Sequence, residues 1–349
     1  MKNYIIPLFI PHFGCPHTCV FCNQRKITGM DTNVTAAEVQ RIIGWHLAQI
    51  DRPYFVEAAF YGGSFTALSE ARQRELLAPA AAYFAAGRLQ GIRLSTRPDC
   101  IHEDNLSFLW DMGVRTIELG AQSFDDGVLC RAERGHCALD ICQAADRIRQ
   151  KGFRLGIQLM PGLPGDTEAT MRHSLAETLR LQPDMVRIYP TVVLRDTPLA
   201  TAYRAGKYQP LSMAGAVRIA AIMKLALEQR GIEVIRTGLQ SGEELDAPGT
   251  VLAGPYHPAF GEMVESWLFN VLVERQLERW QPVGEVVLHH ADRDTSQLRG
   301  LKNTNQKHWQ QQYPRARFQL CPDGTQRNRL QIEYDGHSCV LDKNALEGL

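Results

Sequence analysis

From Ile6 to Val193 the chain alternates short apolar runs with longer stretches of helical periodicity. Ile6 to Ile10 reads as a buried strand that ends at Gly14. Thr35 to Gln49 reads as a helix, with Thr35 as its cap and Glu38 three residues on, the pattern of a capping box. Phe55 to Tyr61 is a strand stopped by Gly62-Gly63-Ser64, and Arg72 to Ala86 is an alanine-rich helix. Gly91 to Ser95 is a strand, and His102 to Met112 a helix closed by Gly113. Arg115 to Gly120 is a strand, and His136 to Lys151 a helix closed by Gly152. Phe153 to Met160 is a strand, Thr167 to Leu181 a helix, and Met185 to Val193 a sixth strand. Strands that alternate with helices of this length imply parallel βα units. Right-handed crossovers wind six such units into a barrel or part of one. The pattern predicts an α/β fold, a partial (βα)6 barrel. Its chemistry is expected beyond the C-terminal ends of the strands.

After Glu243 the pattern changes. Pro248-Gly249 and the stretch from Ala253 to Glu262 are rich in breakers and enter a helix from Glu262 to about Arg279. Gly284 to His289, Arg315 to Leu320, Arg329 to Tyr334 and Ser338 to Leu341 read as short strands, with a helix over Asn303 to Gln312. These predict a small α+β appendage, so that residues 1–245 form the barrel domain and 246–349 a substrate-holding or closing domain.

Composition adds few constraints. The 349 residues suit about two folding units, and 44% hydrophobic residues can bury a large core. Lysine plus arginine equals aspartate plus glutamate, 38 of each, so no global field advertises a nucleic-acid partner. No apolar run reaches the roughly 18 residues of a membrane span. Nine cysteines without a secretion signal point to a reducing cytoplasm.

The candidate chemistry lies in the loop after the first strand. Cys15, Cys19 and Cys22 are spaced Cys-x3-Cys-x2-Cys. Thiolates in so short a loop can converge on one metal centre, and soft sulfur ligands select zinc or an iron–sulfur cluster. A structural zinc site or an ordinary four-iron cluster takes four protein ligands. The loop holds three, and the next cysteine is Cys100. Three thiolates on a four-iron cubane leave one iron open for chemistry.

The segment Cys15-Pro16-His17-Thr18-Cys19-Val20-Phe21-Cys22, with an aromatic before the third cysteine, resembles the cluster motif of the radical S-adenosylmethionine (SAM) enzymes. The resemblance implies a [4Fe–4S] cluster on Cys15, Cys19 and Cys22 whose open iron chelates SAM. The sulfonium is then reductively split to methionine and a 5′-deoxyadenosyl radical. Further segments match in order. Tyr61-Gly62-Gly63-Ser64 stands where such enzymes receive the amino group of SAM, with Ser64 in place of an acidic residue. Gly120-Ala121-Gln122-Ser123 and Glu133-Arg134-Gly135-His136 resemble segments of the oxygen-independent coproporphyrinogen dehydrogenases and of the Elongator catalytic subunit. There the arginine pairs with the SAM carboxylate, a role suited to a planar fork of donors. By position, Gln158 faces the ribose, Ser95 stands where relatives often have glutamate, and the loop around Gly162 borders the adenine.

Ser95-Thr96-Arg97-Pro98-Asp99, Met160 to Gly165 and Arg187-Ile188-Tyr189-Pro190-Thr191 bring the radical SAM half of the Elongator catalytic subunit nearest. That enzyme modifies the wobble uridine of tRNA with carbon from acetyl-CoA. Here about 110 residues follow Arg236, and no segment for a CoA pyrophosphate is present, so the acetyl-transfer chemistry is not implied. The resemblance implies RNA, most plausibly tRNA, base modification with a flavodoxin- or ferredoxin-type reductant. The alternatives are a small-molecule step of tetrapyrrole or cofactor type, or a metal-stabilised RNA-binding module. Against the tetrapyrrole branch, Cys22 is followed by Asn23-Gln24 and not by a further cysteine.

Other residues carry secondary expectations. Lys302, Lys307, His308, Arg315, Arg317, Arg327 and Arg329 bias the appendage towards RNA, with Trp309 and Tyr313 available to stack on bases. His257 and Glu262 are candidate acid–base groups or parts of a loop-to-helix junction. Cys130, Cys137 and Cys142 read as buried free thiols, and His289-His290 as strand neighbours pointing to opposite faces.

Overall fold

The computed structural model describes residues 2–10, 15, 19–23, 34–324 and 326–349. The chain divides into two compact units, residues 1–212 with 240–256, and residues 213–239 with 257–349.

In the first unit six parallel strands run in sequence order: β1 (Lys2–Phe9), β2 (Tyr54–Tyr61), β3 (Gly91–Thr96), β4 (Val114–Gln122), β5 (Arg154–Leu159) and β6 (Met185–Ile188). Helices α1 (Ala36–Ala48), α2 (Glu70–Ala85), α3 (Glu103–Asp111), α4 (Asp126–Arg131), α5 (Ala138–Gln150) and α6 (Glu168–Leu181) fall between them. This is the curled α/β half-barrel that the alternation predicts. Thr35 caps α1 by accepting from the Glu38 N–H at 3.3 Å. The sixth strand stops at Ile188, short of the expected Val193, because Pro190 has no N–H for a ladder. Val193–Leu194 is a separate short strand, β7, followed by α7 (Pro198–Arg204).

The strands alternate sharply between two faces. Val56, Ala58, Phe60, Ile92, Leu94, Ile117, Leu119, Leu155, Ile157, Val186 and Ile188 are buried apolar residues at one set of alternate positions. The other set carries Glu57, Tyr61, Arg93, Ser95, Glu118, Gly156, Gln158 and Arg187. Side chains alternate with a period of two, so one face of the sheet is oily and serves the helices, while the other is polar.

The chain continues in the second unit with α8 (Met213–Gln229) and β8 (Glu233–Thr237), and returns to the first with α9 (Glu243–Asp246) and β9 (Val251–Ala253). β9 pairs antiparallel with β7. The second unit then adds α10 (Phe260–Trp280), β10 (Gly284–His290), α11 (Thr295–Arg299), α12 (Thr304–Gln312), β11 (Ala316–Pro322), β12 (Arg329–Tyr334) and β13 (His337–Asp342). Its sheet runs β11-β10-β12-β13, with β10 and β11 parallel and the other pairs antiparallel. Residues Ala216 to Leu227 of α8 are buried at most positions, so the helix lacks the one-sided apolar stripe that marks a surface helix. Among the described residues no helix is long and apolar enough to cross a membrane.

Candidate functional site

The predicted site residues gather at the C-terminal ends of the first unit's strands. Cys19, Val20 and Phe21 are buried in an apolar cluster with Val128, Ala132, Leu163 and Leu199, and Cys22 packs against it. The Cys22 N–H donates to the Cys19 carbonyl at 3.0 Å, which closes a turn between the second and third cysteines. Cys15 is exposed, and its thiol lies within electrostatic reach of Cys19, Arg97 and Arg134. Residues 11–14 and 16–18, which frame Cys15, lie outside the described residues. Among the described residues no three ligating side chains are drawn together tightly enough to cage a metal ion.

Arg134 is held on three sides. Its Nη1 donates to Cys19 Sγ at 2.9 Å and its Nη2 to the Gly120 carbonyl at 2.6 Å. Its own carbonyl accepts from Arg97 Nη2. Arg97 is fixed in turn by Asp99, Nε to Oδ1 at 3.0 Å. The Nε of Arg134 is buried and has no acceptor among the described residues, so the guanidinium keeps donor capacity. A guanidinium stabilises a thiolate beside it, so this donor set suits a group that binds through deprotonated sulfur.

Ser64 lies under the same turn. Its hydroxyl meets Thr96 Oγ1 at 3.0 Å and accepts from the Arg97 N–H at 3.2 Å. Gly62, at φ +90°, makes the turn after β2, and Gly63 is half-buried beside it. The Ser-Thr-Arg-Pro-Asp segment therefore ties the β2 turn to the Arg134 loop.

β4 carries an irregularity between Leu119 and Gln122, and Gln122 takes φ +70°, unusual for a residue with a side chain. The turn aims its amide at β5, where Gln158 Nε2 donates to Gln122 Oε1 at 3.0 Å. A Cβ on Gly120 would stand 2.9 Å from Gln122 Nε2 and 3.3 Å from Arg134 Nη2, so glycine makes room for both. Ser95 is half-buried on the polar face of β3. The Gly162 N–H donates to Asp166 Oδ2 at 2.9 Å and its carbonyl accepts from the Tyr208 hydroxyl at 2.6 Å, which stiffens the loop after β5. His136 is buried against the Ala121 carbonyl, and burial, with Arg134 and Arg97 nearby, lowers its pKa to about 4.

A charged ladder across the polar face escaped the sequence reading. Arg93 bridges Glu57 at 2.5 Å and Glu118 at 3.0 Å. Arg187 grips both oxygens of Glu118, at 2.5 and 3.1 Å, and donates to the Tyr61 hydroxyl at 2.8 Å and the Tyr189 hydroxyl at 3.1 Å. Burial alone would push the Glu118 carboxyl up, but Arg187 and Arg93 outweigh it and hold it below the usual carboxylate range. Gly156 is small for this reason: a Cβ there would meet Glu118 Cγ at 2.7 Å. The signal was a lone charge between apolar neighbours in a strand, as in Ile117-Glu118-Leu119.

Some expectations need correction. Trp309 is 0% exposed and its Nε1 donates to Asn270 Oδ1 at 2.8 Å, so it packs in the core of the second unit and offers no stacking platform. His308 pairs with Glu274, Arg327 with Asp294 at 3.4 Å, and Arg329 with Asp342 at 2.8 Å. Lys302, Lys307, Arg315 and Arg317 are exposed and make no ion pair among the described residues. Cys130 is exposed and Cys137 and Cys142 are half-buried, where buried thiols were expected; Cys137 is the N-cap before α5 and Cys142 Sγ accepts from Arg180. His257 Nδ1 accepts from the Ala259 N–H at 3.0 Å, the junction role. His290 is buried and His289 faces Asp323, so the two do point apart.

The family model of the Radical SAM superfamily matches residues 9–177, and that of the Radical SAM C-terminal domain matches residues 183–270. The tRNA uridine(34) acetyltransferase of Methanocaldococcus jannaschii is 28% identical over 207 residues, 58% of this chain and 37% of that protein. Human Elongator complex protein 3 is 27% identical over 204 residues, 57% of this chain and 36% of that protein. The chain thus spans little more than a third of these relatives' length. The structure of Methanocaldococcus infernus Elp3 lacking its N-terminus superposes with a TM-score of 0.59 at 20% identity, over 80% of this chain and 63% of that one, a likeness of fold.

Proposed function

We propose that this chain, which belongs to the radical SAM superfamily of enzymes that use a [4Fe–4S] cluster and SAM, modifies a base in RNA, with tRNA as the leading substrate. Cys15, Cys19 and Cys22 hold the cluster in this reading. When bound, the cluster and SAM together supply a 5′-deoxyadenosyl radical, with the electron delivered by a flavodoxin- or ferredoxin-type protein. The chain's own residues bind, orient and exclude water.

The observation that carries the reading is the Arg134 guanidinium beside Cys19, with a buried N–H still unclaimed. It sits where a fork of donors can meet a carboxylate next to a thiolate-bound group. Gly62, Gly63 and Ser64 offer backbone and hydroxyl contacts to the amino end of SAM. Gln122, Gln158 and Ser95 line the polar face on which its ribose would rest, and Phe21 and Gly162 border the rest of the nucleoside. Lys302, Lys307, Arg315 and Arg317 of the second unit, exposed and without an ion pair among the described residues, support an RNA substrate, and the names of the tRNA-acting relatives agree. A chain with nine cysteines and no secretion signal in its sequence suits a reducing cytoplasm.

The test is anaerobic capture of total RNA on the reconstituted protein, followed by nucleoside mass spectrometry of a deletion strain. Loss of one modified nucleoside in the strain, restored by the wild-type gene but not by a Cys19→Ser gene, is the expected result. An unchanged nucleoside profile with no RNA captured moves a small-molecule substrate ahead.

A further inference from the structure

The turn that carries Cys19 and Cys22 has two flanks of opposite charge. On one flank the Val20 N–H donates to the Ala132 carbonyl at 3.2 Å. The loop that follows Ala132 borders a cavity of about 660 Å³, whose lining holds Asp126, Glu133 and Asp140 and, among the described residues, no lysine or arginine. On the other flank the Val20 carbonyl accepts from the Leu199 N–H at 2.8 Å. Leu199 and Ala200 of α7 pack there in one apolar cluster with Val20 and Phe21. The end of α7 away from this cluster is open: Tyr203, Arg204, Ala205, Gly206 and Lys207 are all exposed. Arg204 and Lys207 make no ion pair among the described residues, and no aspartate or glutamate stands between Thr197 and Ser212. Asp196 lies before the N-cap Thr197, at the other end of the helix. Gly206, at φ +69°, and the Lys207 N–H, bonded to the Ala202 carbonyl at 2.9 Å, close the helix, so the backbone that carries both cations is fixed.

An electron for the cluster has to enter from outside the fold. A partner seated on α7 is separated from the Val20 backbone by the helix alone, about 10–12 Å. Small one-electron carrier proteins present carboxylates around their redox group. Complementary charge steers such encounters and sets their orientation, and electron-transfer contacts are small enough for a few residues to define them. The acidic flank repels such a carrier, and the basic flank attracts it. We propose that the exposed face of α7, with Tyr203, Arg204 and Lys207, is the docking surface for an acidic one-electron carrier protein. In the step it serves, the carrier loses one electron and the [4Fe–4S] centre gains it, with no bond made or broken. This deepens the reading above, and it rests on the cluster assignment of that reading and not on its RNA substrate.

Anaerobic binding of reduced flavodoxin to the cluster-loaded, SAM-bound protein tests the surface. Carbodiimide, which joins a lysine directly to a carboxylate, should link Lys207 of the wild type to flavodoxin, and binding should weaken as salt is raised. Arg204→Glu with Lys207→Glu should bind flavodoxin about tenfold or more weakly, with melting temperature and dithionite-driven SAM cleavage unchanged. Arg88→Glu with Arg230→Glu makes the same change of net charge at exposed positions off α7 and should bind flavodoxin as the wild type does. Undiminished binding by the α7 variant overturns the proposal, as does an equal loss in the Arg88 and Arg230 variant. Cross-links that omit Lys207, or no flavodoxin binding by the wild type, overturn it without any variant. In each of these cases SAM cleavage by the wild type with dithionite leaves the cluster assignment standing. Its absence brings down the cluster assignment and the docking surface together.

Discussion

Arg134 Nη1 donates to Cys19 Sγ across 2.9 Å, although 115 residues separate the two in the chain. The contact is built by three devices: the glycine at 120 that admits the guanidinium, the Arg97 fork on the Arg134 carbonyl, and Asp99 behind Arg97. A cation is thereby fixed beside one of the three sulfurs.

Arg134→Ala should keep its iron but bind SAM about tenfold or more weakly, since a hydrogen bond to a charged group contributes about 1.5–3 kcal/mol. Arg134→Lys should restore little, because a point charge cannot replace the fork. Calorimetric titration of SAM into anaerobic protein measures both. Unaltered affinity in the alanine variant would mean that Arg134 serves the sulfur and not the ligand.

Cys15→Ser, Cys19→Ser and Cys22→Ser should each fail to assemble a brown cluster of about four irons. Iron and sulfide analysis, with electron paramagnetic resonance of the reduced protein before and after SAM, reads the outcome. A SAM-responsive cluster in any of the three would remove that residue from the ligand set.

Glu118→Ala should destabilise the fold by about 3–5 kcal/mol, because two guanidiniums lose a shared buried partner. Lys302→Ala, at an exposed and unpaired position, should change stability by less than about 0.5 kcal/mol. Urea titrations of the two variants beside the wild type provide the comparison.

His136 gives a pH signature. Its folded pKa of about 4 lies below the ordinary histidine value of about 6.5, chiefly through burial. The unfolded chain therefore binds the proton first as pH falls, so the histidine's contribution to stability is full above about 6.5 and is lost between about 6.5 and 4. The slope from one such proton is at most about 1.4 kcal/mol per pH unit. Melting curves at successive pH values should show it in the wild type and lose it in His136→Gln.

Lys307→Glu with Arg317→Glu should abolish RNA binding while reductive SAM cleavage continues. Wild-type binding should weaken steeply with salt through counterion release. Filter binding at several salt concentrations checks this. Undiminished binding by the double variant would place the RNA surface elsewhere.

The βα alternation was legible because periods of two and of about 3.6 residues leave different marks, and Gly113 and Gly152 close their helices where expected. The cysteine spacing and the ordered matches around Gln122, Arg134 and Gln158 pointed to one end of the sheet, where these residues lie. What was not legible depended on partners distant in sequence. Nothing local says that Arg97 serves the carbonyl of Arg134, or that Glu118 collects guanidiniums from β3 and β6. Trp309 shows the converse failure: beside basic residues it reads as a binding aromatic, yet its indole faces Asn270 in the core. Helix α8 was passed over because burial on most sides erases the stripe that marks a helix.

The ladder also sets an order of events during synthesis. Glu57, Arg93 and Glu118 emerge from the ribosome before Arg187. A nascent chain that stops short of β6 holds two carboxylates and a single guanidinium on this face, and closing it would strand a negative charge away from water. The four charges of this face therefore balance only once the sixth strand has brought Arg187 to Glu118. Premature collapse of the earlier strands is discouraged by their own electrostatics.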